Sequence, residues 1–309
     1  MKIVIIGGAG RVGVAVASAL QWSGVGSDLR LIDINAELAE GEALDLQHGA
    51  AGTASQNIQA GDIGAAENAD FVIITAGSRR KPDESRLALV DRNVALFRAI
   101  LTDLRHVPLS KHCTLVVVSN PVDILTWIAV NEFSLPPEQI VGLGTVLDTL
   151  RLRSLIGRHC KVDPRQVNAL ILGEHGDSMA PIYSTATISG VPLSSWPGFS
   201  DSQWKDLAEQ ARHGGVTVLR KKGGAGFAVG VAVQQVIKAI ALNERAVLPV
   251  STLQQGYLGM RNVCLSVPTL LGRGEQQHIS LSLWPKEERA VQHSAEVLLE
   301  TLDRIRSTG

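Results

Sequence analysis

The chain has 309 residues, 45% of them hydrophobic and 19% charged, with a formal net charge of −1, which suits two domains or one large α/β unit. Its densest basic groups, Arg79-Arg80-Lys81 and Arg220-Lys221-Lys222, are too short for a nucleic-acid or membrane-surface footprint, so neither partner is expected. Cys113, Cys160 and Cys264 are odd in number and lack metal-ligand spacing, which points to unpaired thiols, no metal and a reducing compartment.

The first apolar run, Lys2 to Ile6, leaves no room for a signal peptide, and no run reaches spanning length, so a cytoplasmic location is expected. Gly7-Gly8-Ala9-Gly10-Arg11-Val12-Gly13 follows at once, and Val12, Val16, Ala19 and Leu20 repeat at helical spacing. A second run, Leu29 to Ile32, ends in Asp33, twenty residues after Gly13, as a dinucleotide-binding βαβ unit requires. In that unit Gly8 permits the tight turn, Gly10 lets backbone N–H groups approach a pyrophosphate, and Gly13 lets helix and strand pack closely. The helix dipole favours the same phosphate. Asp33 would accept hydrogen bonds from the adenosine ribose and repel a 2′-phosphate, and its neighbours Ile34 and Asn35 carry no cation, so NAD is favoured over NADP.

Ala36 to His48 reads as a helix, Asp70 to Gly77 as a buried strand, and Ser78 to Ser85 as a polar loop at that strand's carboxyl end, where ligands of open α/β sheets bind. Val90, Val94, Phe97, Leu101 and Leu104 mark a long helix, and Leu115 to Val118 a strand ending in Ser119-Asn120-Pro121. Alternating strands and helices over residues 1–141 predict a doubly wound, Rossmann-type parallel sheet. Residues 142–309 read as an α+β domain. It has a helix over Leu147–Gly157, a strand over Val167–Leu172, and helices from Asp201 broken at Gly214-Gly215 and Gly223-Gly224. Short strands follow around Val247–Leu253, Val263–Val267 and Ile279–Leu283, then a final amphipathic helix through Val291, Ala295, Leu298, Leu302 and Ile305.

Oxidation of an alcohol by nicotinamide needs a base for the hydroxyl proton. His175 follows a strand and stands between Gly173-Glu174 and Gly176, unlike the other seven histidines, although an isolated histidine is more often structural. Arg80, Arg86 and Arg151 are candidate anion binders, because a guanidinium fork grips a carboxylate with two hydrogen bonds. A solvated charged face is the plainer account of any one of them.

Several ordered segments are similar to the motifs of the L-lactate and L-malate dehydrogenases: Gly41 to Gly49, Ser78 to Leu87, Ser119 to Asp123, Leu147 to Arg151 and Leu172 to Ser178. The resemblance implies His175 as acid/base, Asp148 stabilising its protonated form, Arg151 holding the substrate C1 carboxylate, and Arg86 polarising the ketone. It also implies Asn120 orienting substrate and nicotinamide. NAD would lie against Gly8, Gly10, Arg11, Val12, Gly13, Asp33, Ala76, Gly77, Asn93, Val118 and Asn120. Family members of this kind form homodimers or homotetramers and act on small 2-keto and 2-hydroxy acids.

For the substrate, the position of Arg80 resembles the malate-type arginine that faces a second carboxylate, and Ala225 leaves room for a larger acid. Malate and oxaloacetate are therefore expected, with L-lactate or another L-2-hydroxy acid as the alternative favoured by Glu84 and Glu174. A noncatalytic NAD-binding protein on the same fold is a further alternative; the set Arg86, Asn120, Asp148, Arg151 and His175 argues against it.

Overall fold

The computed structural model describes residues 1–78 and 86–307. Arg80 lies outside them, with Asp83 and Glu84, and so does the side chain of Arg86.

In chain order the elements are β1 (Lys2–Ile6), α1 (Arg11–Ser23), β2 (Asp28–Ile32), α2 (Ala36–Gly49), β3 (Asn57–Ala60), β4 (Phe71–Ile74), α3 (Arg86–Leu104), β5 (Thr114–Val117), α4 (Val122–Glu132) and β6 (Ile140–Gly142). There follow α5 (Val146–Cys160), β7 (Val167–Leu172), β8 (Ala180–Ile188), β9 (Val191–Pro192), α6 (Asp201–Lys222), α7 (Phe227–Ala241), β10 (Ala246–Gln255), β11 (Arg261–Gly272), β12 (Glu275–His278) and α8 (Pro285–Ser307). The chain divides into two compact units, the first made of Met1–Leu143, Gly226–Ala246 and Leu271–Gln276, the second of Gly144–Ala225, Val247–Leu270 and Gln277–Gly309.

The first unit is built on six parallel strands in the order β3-β2-β1-β4-β5-β6. β1, β4 and β5 are buried on both faces apart from Lys2 at the start of β1, the pattern of parallel strands covered by helices. The expected Rossmann-type topology is present. The one positive φ in the first glycine turn falls at Gly7 (+84°), not at Gly8. Gly8 is needed for another reason, since a Cβ there would lie 2.9 Å from the Leu31 Cα. At Gly13 a Cβ would meet the Gly7 carbonyl oxygen at 2.2 Å, so the helix can begin against the turn only because that position is bare. A similar close approach joins α1 to α7, where a Cβ at Gly230 would lie 2.3 Å from the Ala15 carbonyl oxygen.

In the second unit β7, β8 and β9 form an antiparallel sheet. A core of Leu152, Ile156, Ile171, Tyr183, Trp204 and Leu207 packs beneath it, with Tyr183 stacked on Trp204 at 4.8 Å between ring centroids. Two expectations are corrected here. Helix α6 runs unbroken through Gly214-Gly215 and stops only at Gly223, which caps it in the left-handed conformation at φ 76°. Ile279–Leu283 is not a strand; the pairing segment is the polar Glu275–His278 just before it. Cys113, Cys160 and Cys264 form no disulfide. Burial, then the charge of Asp70, pushes the Cys113 thiol up to about 12, so it stays protonated at neutral pH.

The glycines make a contrast that stability measurements can read. Gly13→Ala should destabilise the protein by about 1–3 kcal/mol through overpacking. Gly41→Ala, in a helix with nothing within 4 Å of the new Cβ, should stabilise it by about 0.5–1 kcal/mol. Urea unfolding of the two variants would measure both effects, and equal effects would refute the packing account.

Candidate active site

The nucleotide-binding features gather at the carboxyl ends of the parallel strands of the first unit. The Gly7 and Gly8 amides both donate to the Ile32 carbonyl, at 2.8 and 3.0 Å, and fold the turn back over the end of β2. Asp33 sits beside it: one carboxylate oxygen accepts from the Ala9 amide and the other from the Asn35 amide, each at 3.1 Å. These bonds fix the carboxylate while leaving lone pairs for a ribose. The N-cap of α1 is Gly10, which makes no side-chain capping bond. An N-terminal turn without a capping side chain keeps backbone donors for a diphosphate, so the residues present fit a dinucleotide.

Asn93, on α3, clamps two neighbouring loops. Its amide oxygen accepts from the Ser78 N–H at 2.8 Å and its amide nitrogen donates to the Asn120 carbonyl at 2.9 Å. The Ser119 hydroxyl donates to the Ala76 carbonyl at 2.5 Å. Ala76, Gly77, Val118 and Asn120 are thereby held in one cluster, and the Asn120–Pro121 peptide is cis.

The second unit carries the titratable cluster. Asp148 lies in the first turn of α5, and Arg151 follows it by three residues on the same helix face. Helix α5 is latched to β7: the Thr145 hydroxyl donates to the Ile171 carbonyl, and the Ile171 amide donates to the Thr149 hydroxyl at 2.9 Å. That latch brings the first turn of α5 beside the turn leaving β7, which carries His175. Asp148 uses both oxygens, one accepting from Arg151 Nη1 at 2.6 Å and the other 2.5 Å from His175 Nδ1. The carboxylate side chain is 0% exposed, against 21% for His175 and 17% for Arg151. Burial alone pushes the Asp148 carboxyl upward, but the charge and hydrogen bond of His175, joined by the Arg151 guanidinium, outweigh it and hold Asp148 below the ordinary carboxylate range.

Gly214 and Gly215 explain themselves at this point. A Cβ at Gly214 would lie 3.1 Å from Arg151 Cδ, and one at Gly215 would lie 3.6 Å from both terminal guanidinium nitrogens. The two glycines lower helix propensity and give the arginine room. Among the described residues one of the five Arg151 N–H donors is used, by Asp148, and a fork with free donors on a partly exposed side chain suits a carboxylate.

Thus the structure brings together Asp148, Arg151 and His175 in one unit. In the other it brings together the turn from Gly8 to Gly13, Asp33, Ala76, Gly77, Asn93, Val118 and Asn120. Ala225 is half-buried between α6 and α7. Arg80 and the Arg86 side chain lie outside the described residues. Sequence reasoning missed Thr145 and Thr149, whose sign was only two hydroxyls flanking the start of a helix, and it mistook the purpose of Gly214-Gly215.

Residues 1–142 match the lactate/malate dehydrogenase NAD binding domain, and residues 145–308 the lactate/malate dehydrogenase alpha/beta C-terminal domain. The chain belongs to the lactate/malate dehydrogenase family. It is an NAD-dependent 2-hydroxy acid dehydrogenase of that family. An L-lactate dehydrogenase of Gloeobacter violaceus is 40% identical over 96% of this chain and 92% of its own length, and one of Clostridium botulinum is 39% identical over 98% and 96%. Among solved structures, a minor L-lactate dehydrogenase from Enterococcus mundtii in a ligands-bound form superposes with a TM-score of 0.94 at 36% identity, covering 98% of both chains. A lactate dehydrogenase from a Medee basin deep-sea metagenome does so at 0.94 and 33%, covering 99% of this chain and 98% of its own.

These relatives overturn the expectation of malate and oxaloacetate drawn from Arg80 and Ala225, because similarity over nearly the whole chain runs to lactate enzymes. The expectation let Arg80 and Ala225 outweigh Glu84 and Glu174, the residues that favoured the lactate alternative. Among the described residues no helix is long and apolar enough to cross a membrane.

The depressed Asp148 carboxyl has a measurable consequence. A group whose folded pKa is lowered contributes stability that is present above its unfolded value and lost as pH falls through the folded one. The stability gap between the natural protein and Asp148→Asn should be widest at neutral pH and shrink below about pH 4, the unfolded carboxylate value. Unfolding midpoints from pH 3 to 7 read it, and a gap independent of pH would refute the assignment.

Proposed function

We propose that the protein is an L-lactate dehydrogenase, interconverting (S)-lactate and pyruvate with NAD. The observation that carries the chemistry is the buried carboxylate of Asp148 shared between His175 and Arg151; the lactate dehydrogenases similar along the whole chain support pyruvate as its keto acid. Bound NAD supplies the hydride acceptor for lactate oxidation, and Gly8, Gly10, Arg11, Val12, Gly13, Asp33, Ala76, Gly77, Asn93 and Val118 are the residues assigned to hold it.

In pyruvate reduction His175 enters as imidazolium. Asp148 engages Nδ1, so the proton given to the substrate oxygen leaves from Nε2. The imidazolium is favoured because Asp148 is anionic, buried and fixed on two sides. Arg151 grips the substrate's C1 carboxylate, Arg86 stabilises the negative charge that develops on the ketone oxygen, and Asn120 orients the substrate. Ala225 leaves the substrate's third carbon unobstructed. In lactate oxidation the same histidine, now neutral, takes the hydroxyl proton. The same reading makes the protein a cytoplasmic homodimer or homotetramer.

Initial rates with NADH and a panel of 2-keto acids test the reading. Pyruvate should exceed oxaloacetate in kcat/KM by at least about a hundredfold, the scale on which a site discriminates by an unpaired charge. A preference for oxaloacetate would remove the lactate assignment. His175→Ala should lower kcat by about a thousandfold, as loss of a general acid does; a variant retaining most of its activity would remove the mechanism.

A further inference from the structure

The His175 turn is built of residues that do not hold a shape by themselves. It runs from Gly173 to Ser178, with glycines at 173 and 176, and its histidine must stay 2.5 Å from Asp148. Gly173 is at φ +84° and is anchored by paired bonds of 2.9 Å with Ser266 in both directions. Among the described residues no ladder continues beyond Gly173, and side chains brace the turn.

One brace is internal. The Glu174 carboxylate accepts from the Ser178 amide at 3.1 Å and from the Ser178 hydroxyl at 2.6 Å, closing the turn on itself. A second comes from α8, remote in sequence. Ser294 is fully buried, its hydroxyl donates to the Ser178 carbonyl at 2.7 Å, and its oxygen lies 3.2 Å from the Ser178 hydroxyl oxygen. A Cβ at Gly173 would come within 2.3 Å of that Ser294 oxygen, so the bare glycine is what admits the serine. A third comes from α6, where Arg212 donates to the Asp177 carbonyl.

We propose that Ser294, acting through Ser178 and Glu174, is a positioning residue for the acid/base step. It touches neither substrate nor cofactor; it fixes the turn so that the His175 ring remains on Asp148. This rests on the reading of His175 as the acid/base. It also gives Glu174 a role, since its carboxylate is turned onto Ser178 rather than toward a substrate. Among the described residues, Glu174 and Asp177 are the charged groups on the turn of His175, Asp148 and Arg151 come from α5 and Arg212 from α6, and Ser294 is the neutral contribution of α8.

A purely structural serine would change stability and leave the chemistry alone, so the test reads both. Ser294→Ala, Ser178→Ala and the double variant would be compared with His175→Ala in pyruvate reduction, following kcat, KM, the pH profile and the unfolding temperature. Ser294→Ala should lower kcat by about tenfold with KM changed by less than about twofold, since a small displacement of a catalytic group acts on the chemical step. A histidine held less firmly on Asp148 loses its proton more readily, so the alkaline limb of the reduction profile should move to lower pH. Ser178→Ala should do the same, and the double variant should be no worse than about the worse single one, because both act through one chain of bonds. Natural kcat and an unmoved alkaline limb in Ser294→Ala, beside an inactive His175→Ala, would overturn the proposal alone. An active His175→Ala would instead overturn the reading beneath it. Should Ser294→Ala fail to fold, Ser178→Ala decides by the same two readouts, an unchanged profile counting against the proposal.

Discussion

A carboxylate with no exposure to water must be paired on every side, and Asp148 meets that demand with the Arg151 guanidinium on one oxygen and the His175 ring on the other. Much of the second unit can be understood from this requirement. Asp148 and Arg151 need a helix to bring them onto one face, and α5 supplies it. His175 comes from a different element, so α5 and the end of β7 must be locked in register, which the Thr145 and Thr149 hydroxyls do from within the protein. Removing either partner would leave a buried carboxylate oxygen without its hydrogen bond, so the elements that place His175 and Arg151 matter as much as the contacts themselves.

Glycine marks the points where this arrangement approaches its limits of space. Gly13 lets α1 start against the turn, Gly173 admits a serine hydroxyl, and Gly214 and Gly215 let a helix pass beside the Arg151 side chain. Each lowers the intrinsic stability of its own segment; at Gly13 and Gly173 the gain is an approach closer than any Cβ permits, while at Gly214 and Gly215 it is looser room beside a side chain. In α6 the conflict is plain: two adjacent glycines in a 22-residue helix oppose helix formation, yet the helix continues because its Trp204, Leu207 and Ala211 are packed into the core.

The nucleotide half was legible in the sequence because its signals are local. A strand, a glycine turn, a helix and an acid at fixed spacing lie within 33 residues, and the βαβ unit they specify is contiguous in the chain. His175, Asp148 and Arg151 were reached through ordered motifs, and their contact was not visible in composition or period. The hidden parts depend on residues far apart: Ser294 meets Ser178 across 116 positions, and Thr145 meets Ser266 across 121. Single serines and threonines carry no periodicity, so nothing in the chain marks them before the fold brings them together. The same limit explains Gly214-Gly215, where propensity alone predicts a break and tertiary contact decides otherwise. It also explains β12, a polar strand without the β-branched alternation that announces most strands.

Substrate choice is the case where one residue said too much. Pyruvate and oxaloacetate differ by a carboxylate, and a guanidinium discriminates between them strongly only when it is desolvated and left uncompensated by nearby acids. Arg80, Asp83 and Glu84 lie outside the described residues, so the identity of Arg80 along the chain was the whole of its argument. Glu174, by contrast, has its carboxylate held on Ser178, where it closes the turn that carries His175. A residue that pointed toward the lactate enzymes is thus built into the turn that carries His175, and its identity is tied to the shape of that turn.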